Sequence, residues 1–391
     1  MSDIVFILGA GASRMAGGPL MSDFLSSSDD LLRAGRVDDK REDFERVSKA
    51  IGKLRYVHSK SNLNTANIED VFSAFEMAKI IEKFSEFNLE EIDKLISSTK
   101  RVIAKTLESK IEFPTNGETV LSPKPYDELL ALIRFLREEA SPRHSVALIT
   151  FNYDIALDYA IYKNGCEASY FLEDLVAIDI TIPFFKLHGS LNWTICPGCD
   201  RIVLLSFDEY QNFRDIRTYK KPEKEHLPIS MALAKFRHCE NHQVNPDPVL
   251  IPPTWNKIYH QQHFKQLSLV WKQAAIELSE AQHLFVIGYS LPETDGFFRA
   301  LYSLGTESDR SLRRFWVFDP DETVEKRFRK LLGSQAENVF EYRKEEFENA
   351  IRILNQTFGN KPRLNPPVAV VVEPPEDAYL KNRFGFKRPK L

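Results

Sequence analysis

Asp3-Ile4-Val5-Phe6-Ile7-Leu8-Gly9-Ala10-Gly11-Ala12-Ser13 decides the reading of this chain. An apolar run, its length that of a buried strand, stops at two glycines spaced one residue apart, and nucleotide-binding α/β domains often open in this way. Glycines let a backbone approach a diphosphate closely, and amides at the start of a following helix can donate to its oxygens. The third glycine of the dinucleotide fingerprint is missing: position 14 is Arg14, and the next glycines are Gly17 and Gly18. A tight strand-to-helix turn without ligand is the alternative for this stretch taken alone.

Four more apolar runs share that grammar. Ser145-Val146-Ala147-Leu148-Ile149-Thr150 leads into Phe151-Asn152-Tyr153-Asp154, and Ile182-Pro183-Phe184-Phe185-Lys186-Leu187 leads into His188-Gly189-Ser190. His283-Leu284-Phe285-Val286-Ile287 leads into Gly288-Tyr289-Ser290, and Phe315-Trp316-Val317-Phe318 into Asp319-Pro320-Asp321. Each strand ends in small or polar residues. In an open parallel sheet all such ends lie along one edge, where ligands bind.

Between the first two runs the pattern changes. Strand signals fade over residues 31–139, and apolar residues recur at helical spacing, as in Val71, Phe72, Phe75 and Leu95, Ile96, Val102, Ile103. Asn67-Ile68-Glu69-Asp70 reads as a helix start, with Asn67 as the cap and two acids facing the dipole. Residues 112–125, punctuated by prolines, read as a loop. The segment Gly18-Pro19-Leu20-Met21-Ser22-Asp23-Phe24-Leu25 reads as a loop beside the ligand, entering a helix capped by Ser22 or Asp23.

Composition narrows the class. The 391 residues, 43% hydrophobic, suffice for one large α/β domain and an insertion, and a net charge of −4 supplies no global basic field for nucleic acid. Met1-Ser2-Asp3 does not open a secretory leader and the apolar run after it is too short for a bilayer, so a cytoplasmic protein is expected. The four cysteines do not make a disulfide scaffold. Cys196-Pro197-Gly198-Cys199 and Cys239-Glu240-Asn241-His242 are two knuckles with metal-ligand spacing, and zinc is the expected ion, in a structural role because four protein ligands leave no open position. His238 is a reserve ligand, Cys166 stands apart, and the alternative is ordinary thiols with a surface histidine.

In their order, Gly9-Ala10-Gly11-Ala12-Ser13, Thr150-Phe151-Asn152-Tyr153-Asp154, His188-Gly189 and Gly288-Tyr289-Ser290 resemble the sirtuin family, and especially its bacterial sirtuin-like NAD-hydrolase branch. The resemblance implies an α/β fold with a Rossmann-like parallel sheet (residues 1–30 and 140–361) and a small zinc module (191–258), to which the sequence itself adds the helical insertion (31–139) and a C-terminal tail (362–391). It implies NAD as substrate, its diphosphate held by the Gly9, Ala10 and Gly11 backbone and the Ser13 hydroxyl, with Gly288, Ser290 and Asp319 completing the cofactor site. Asn152, Asp154 and His188 match the family's residues at the nicotinamide-ribose end. There His188 would take a proton from a ribose hydroxyl or water, Asn152 would orient that group, and Asp154 would face an oxocarbenium-like sugar. Each has a plainer alternative: a carbonyl-bonded loop histidine, turn or cap residues, and a helix cap at Ser290.

Protein deacylases of the family carry a phenylalanine followed by arginine beside the cleft, whereas here Phe24 is followed by Leu25. That departure, the residues flanking Asn152 and the large insertion favour hydrolysis of NAD, and the branch implies an antiphage defence effector switched on by a partner such as a HerA-type ATPase or an Argonaute-like protein. An NAD-dependent protein deacylase and a non-catalytic NAD or ADP-ribose sensor or scaffold are the alternatives. A homo-oligomer is expected, with no membrane association. Two stretches stay open: Ile251-Pro252-Pro253-Thr254-Trp255-Asn256-Lys257, as a cleft wall or as core, and the basic tail, as a solvated end or as a clasp on a neighbour.

Overall fold

The computed structural model describes residues 2–56, 63–117, 119–173, 181–213, 224–239, 242–252, 262–292, 295–306 and 310–360. Seven strands make one sheet: β1 (Ile4–Leu8), β2 (Val146–Thr150), β3 (Glu167–Ser169), β4 (Thr181–Lys186), β5 (His283–Ile287), β6 (Arg314–Phe318) and β7 (Phe340–Arg343). Their order is β7-β6-β5-β1-β2-β4-β3, and every neighbouring pair is parallel. The protein is therefore mixed α/β.

Both faces of this sheet are covered, which is why its central strands read as unbroken apolar runs rather than as alternation. Successive side chains of a strand point to opposite faces. Ile4, Phe6 and Leu8 accordingly join the core that includes the insertion helices, while Val5 and Ile7 join the core of helices Gln262–Glu280 and Gly296–Gly305.

Register brings the strand ends together. Leu8 pairs with Ile287 on one side and Thr150 on the other, Ile287 with Phe318, and Thr150 with Lys186. The residues that follow those ends therefore emerge side by side. From β1 the chain builds the sheet first on the β2 side and then returns to build β5, β6 and β7 on the other, so the β1–β5 boundary is a topological switch point, the usual position of a crevice in open α/β sheets.

Three long helices, Arg41–Tyr56, Ile68–Ile80 and Leu89–Lys110, pack together between β1 and β2. The Asn67 side chain accepts from Glu69 N at 2.8 Å, the cap read from sequence, and Asn88 forms a reciprocal capping box with Glu91. Helix Lys124–Arg134 packs on Ala156–Lys163 and Phe347–Thr357. Part of residues 112–125, expected as loop, is instead a small antiparallel sheet of Phe113–Asn116, Thr119–Val120 and Lys224–Glu225. Burial decides this: Phe113 is enclosed and its ring meets Tyr159 edge-on at 5.1 Å, and Val120 is buried too.

Short hairpins make up the region after β4. Trp193–Cys196 pairs with Arg201–Leu204, Arg237–Cys239 with His242–Gln243, and Gly189–Ser190 with Val249–Leu250. Among the described residues no group of three or more His, Cys, Asp or Glu side chains is placed to hold a metal, so the expected zinc centre is not shown. The side chains of His238, Cys239 and His242 lie outside the described residues, as do residues 253–260, with Trp255.

The described residues up to Asn360 form one compact unit, and the expected tail, residues 362–391, lies outside the described residues. No helix among the described residues is long and apolar enough to cross a membrane.

Candidate active site

A cleft of about 670 Å³ opens at the carboxyl edge of the sheet, within the size range of small-molecule sites. Ala10, Gly11, Ser13, Asn152, Asp154, His188, Gly288, Ser290 and Asp319 line it together, from four strand ends and the glycine turn. Gly9 lies just behind, its carbonyl accepting from Asn152 Nδ2 at 2.8 Å.

The glycines of the turn serve packing first. Gly9 N donates to Ile287 O and Gly11 N to Gly288 O, so these two amides tie the turn to the end of β5. A Cβ on Gly9 would sit 2.5 Å from Gly288 O and from Tyr289 Cα, and one on Gly11 2.8 Å from Gly288 Cα. Only glycine lets these backbones touch.

Ser13 is also turned inward. Its hydroxyl donates to Asp154 Oδ2 at 2.6 Å, accepts from Asn152 Nδ2 at 2.9 Å and meets Tyr126 Oη at 3.0 Å. One donor and two acceptor positions are all a hydroxyl has, so this one is filled by protein. Asp154 is engaged through both oxygens, the second accepting from Ala156 N at 3.0 Å, and burial pushes its carboxyl above the usual range. Both oxygens thereby brace the turn, and the residue lines the cleft.

Lys186, fully buried at the end of β4, donates to Asp154 O at 2.6 Å and to Asp158 Oδ2 at 2.7 Å. The ion pair and the bond to Asp154 O tie the end of β4 to the loop and helix that follow β2, and so set Asn152 relative to His188.

His188 is 2% exposed, its ring edge-on to Phe151 with centroids 5.3 Å apart and tilted against Tyr153 at 6.2 Å. Its carbonyl accepts from Ile251 N at 2.9 Å, and Tyr153 Oη donates to Ile251 O at 2.9 Å, so the start of the unexplained proline segment is clamped beside it. Phe151 stacks on Tyr289 at 3.9 Å.

Two acids that the sequence reading did not place at the site stand near this histidine. Asp295, 1% exposed, has Oδ2 4.0 Å from His188 Nε2, accepts from Tyr289 Oη at 2.5 Å, and caps helix Gly296–Gly305 through Phe298 N at 3.0 Å. The cap that Ser290 was a candidate for is thus taken by Asp295. Glu69, in the first turn of the insertion helix Ile68–Ile80, also lines the cleft, and burial, with Asp295 and Asp70 adding, pushes its carboxyl up to about 8. Sequence offered a weak signal for both, an acid at a helix start, and that signal has a sufficient local explanation in capping.

Asp319, at the end of β6, lines the far part of the cleft and accepts from Asp321 N at 2.9 Å, with burial raising its carboxyl. Gly18, Pro19, Leu20, Met21 and Ser22 form a wall, as expected for that loop, and Ile103 and Leu107 bring the insertion into the lining. The following helix is Phe24–Arg33, with Asp23 at the cap position and no side-chain capping bond.

The sequence gives no match to a protein-family model or to a curated protein. Among solved structures the chain is similar to a mutant Sir2 homologue in complex with ADP-ribose, at 13% identity over 92% of this chain and 94% of that one, with a TM-score of 0.41. It is similar also to a Sir2 homologue in complex with NAD, at 12% identity over 91% and 90% of the two chains with a TM-score of 0.38. A Sir2 protein bound to a propionylated peptide gives 13% identity over 92% and 94%, with a TM-score of 0.38. These overlaps are loose, and what the cleft does rests on its own residues.

Proposed function

We propose that this chain binds NAD in the cleft and hydrolyses the bond between nicotinamide and ribose. The observation that carries the reading is the convergence of His188, Asn152, the glycine turn and Asp319 on one cavity, with Asp295 buried 4.0 Å from the imidazole. The leaving group is already a pyridinium, so the bond between its N1 and the sugar C1′ breaks with the electron pair going to N1, and nicotinamide departs neutral. The sugar is left electron-poor at C1′. A buried carboxylate stabilises such a centre far more than it would in water, and Asp154 or Asp295, the latter 4.0 Å from the imidazole, would supply it. Water then bonds to C1′ and gives up a proton, which His188 is suited to accept. The Asn152 amide hydrogens are used by Gly9 O and Ser13 Oγ, leaving its Oδ1 to accept from a water or ribose hydroxyl.

The test measures NAD consumption by wild type, Asn152→Ala and His188→Ala, each with and without an acetylated peptide. Peptide-independent nicotinamide release, reduced roughly 10²- to 10⁴-fold by loss of the base, supports the hydrolase. Strict dependence on the peptide moves the reading to a deacylase, and ADP-ribose binding without turnover moves it to a sensor.

Zinc belongs to the same proposal. Cys196 and Cys199 flank the turn of one hairpin, Cys239 pairs with His242 at the turn of another, and Asn245 N donates to Ile195 O at 2.9 Å, which brings the two hairpins together. Cys196, Cys199, Cys239 and His242 would hold the ion, whose contribution is to cross-link a region too small for a core of its own. About one zinc per chain by elemental analysis is the expected result. The defence role, a partner of HerA-type ATPase or Argonaute-like kind and a homo-oligomeric state complete the proposal, and they rest on the sequence resemblance.

A further inference from the structure

We infer that Glu69 is a specificity-determining residue of this cleft: with Asp295 it makes an anionic wall that selects ligands carrying a positive charge at the His188 end, such as an oxidised pyridinium ring. This rests on the reading of the cleft as an NAD site and extends it to a residue of the insertion.

The placement is built from the helix start. Asn67 holds the first turn by accepting from Glu69 N, Ile68 is buried beneath it, and Asn67, Ile68 and Glu69 all face the cavity. The Asp295 charge raises Glu69, and the Glu69 charge raises the phenols of Tyr153, whose ring tilts against His188, and of Tyr289, which stacks on the Phe151 ring that meets His188. Its carboxyl therefore stands at the same end of the cleft as the imidazole. Among the described residues lining the cavity, the cationic side chains are Arg14 and Arg327. Arg327 is occupied with Asp321 and Thr323 at the far end, and Arg14 follows the glycine turn, so neither pairs with Glu69 or Asp295.

Burial first, and then the charges of Asp295 and Asp70, disfavour ionisation of Glu69 and push its carboxyl up to about 8. A cationic ligand in the cleft offsets part of that penalty, whereas a neutral dihydropyridine does not. Binding of the cation is thus coupled to loss of the Glu69 proton, and the preference for the oxidised ring rises with pH. A unit charge about 10 Å away, at an effective dielectric of about 20, changes affinity roughly ten- to twentyfold.

The experiment is calorimetric titration of wild type and Glu69→Gln at pH 6.5, 8.0 and 9.5. The ligands are carba-NAD, whose carbocyclic sugar resists cleavage, its reduced form, and ADP-ribose. The expected result is a preference of wild type for the oxidised ring that grows about tenfold or more between pH 6.5 and 9.5, and a preference in Glu69→Gln that stays flat. ADP-ribose, which lacks the ring, should bind both proteins alike. The comparison separates Glu69 from the other titratable groups around it, His188, Asp295, Asp70, Tyr153 and Tyr289. A wild-type preference independent of pH, or the same pH-dependent preference in Glu69→Gln, overturns the inference while leaving the NAD site in place. Failure of wild type to bind ADP-ribose overturns the site itself.

Discussion

Replacing Ser13 by alanine separates two readings of the glycine turn, because the hydroxyl belongs either to the protein or to a ligand. In the structure it is the hub of Asn152, Asp154 and Tyr126. Removing it deprives a buried carboxyl of a hydrogen bond, worth roughly 1.5–3 kcal/mol, and two neutral groups of one each, worth roughly 0.5–1.5 kcal/mol apiece. The three share one centre and do not simply add, so a loss of about 3 kcal/mol in the ligand-free protein is expected. For a chain of this size that lowers the unfolding midpoint by roughly 4 °C. Scanning calorimetry and urea unfolding of the ligand-free protein measure it, and titration with ADP-ribose gives the second coordinate. A midpoint within about 1 °C of wild type, together with ADP-ribose affinity reduced tenfold, would refute the reasoning and return the hydroxyl to the diphosphate.

Two further outcomes follow from the same geometry. Gly9→Ala puts a methyl group 2.5 Å from the Gly288–Tyr289 backbone, and with two main chains unable to yield cheaply it should cost about 1–3 kcal/mol, read as a lowered midpoint; a neutral Gly9→Ala would show that this approach is loose. Glu108, accepting from Ser230 N at 2.6 Å and Ser230 Oγ at 2.7 Å, is raised by burial to about 7. Its folded-state carboxyl binds a proton more tightly than the unfolded one, so the native state holds the extra proton between about pH 4.5 and 7 and this group's contribution to stability falls as pH rises through that window. Glu108→Gln should therefore flatten the decline of the unfolding midpoint between pH 5 and 7.5, and an unchanged profile would show that Glu108 is not its source.

The five strands of the sheet that carry the cleft were legible because β1, β2 and β5 are buried at every position and β4 and β6 at most, and such burial on both faces leaves a nearly uninterrupted apolar run. The two edge strands, β3 and β7, were not, since Glu167 and Glu341 face solvent and an edge tolerates polar residues. Local capping at Asn67 was legible for a similar reason: the cap and the amide it serves lie two residues apart.

What the sequence by itself determined is the grammar of the sheet and the short list of polar residues at its edge, because strand burial and turn chemistry are written within a few consecutive positions. Tertiary structure alone decided the division of labour among those residues. Ser13 and Asp154 face each other across the turn and serve the scaffold, whereas Asp295 and Glu69 are carried into the cleft by helices that begin far from β1 in the chain. A carboxylate at a helix start looks the same in sequence whether it caps or confronts a ligand. Only the fold determines what stands opposite it and whether water reaches it, and those two things set its charge and its use.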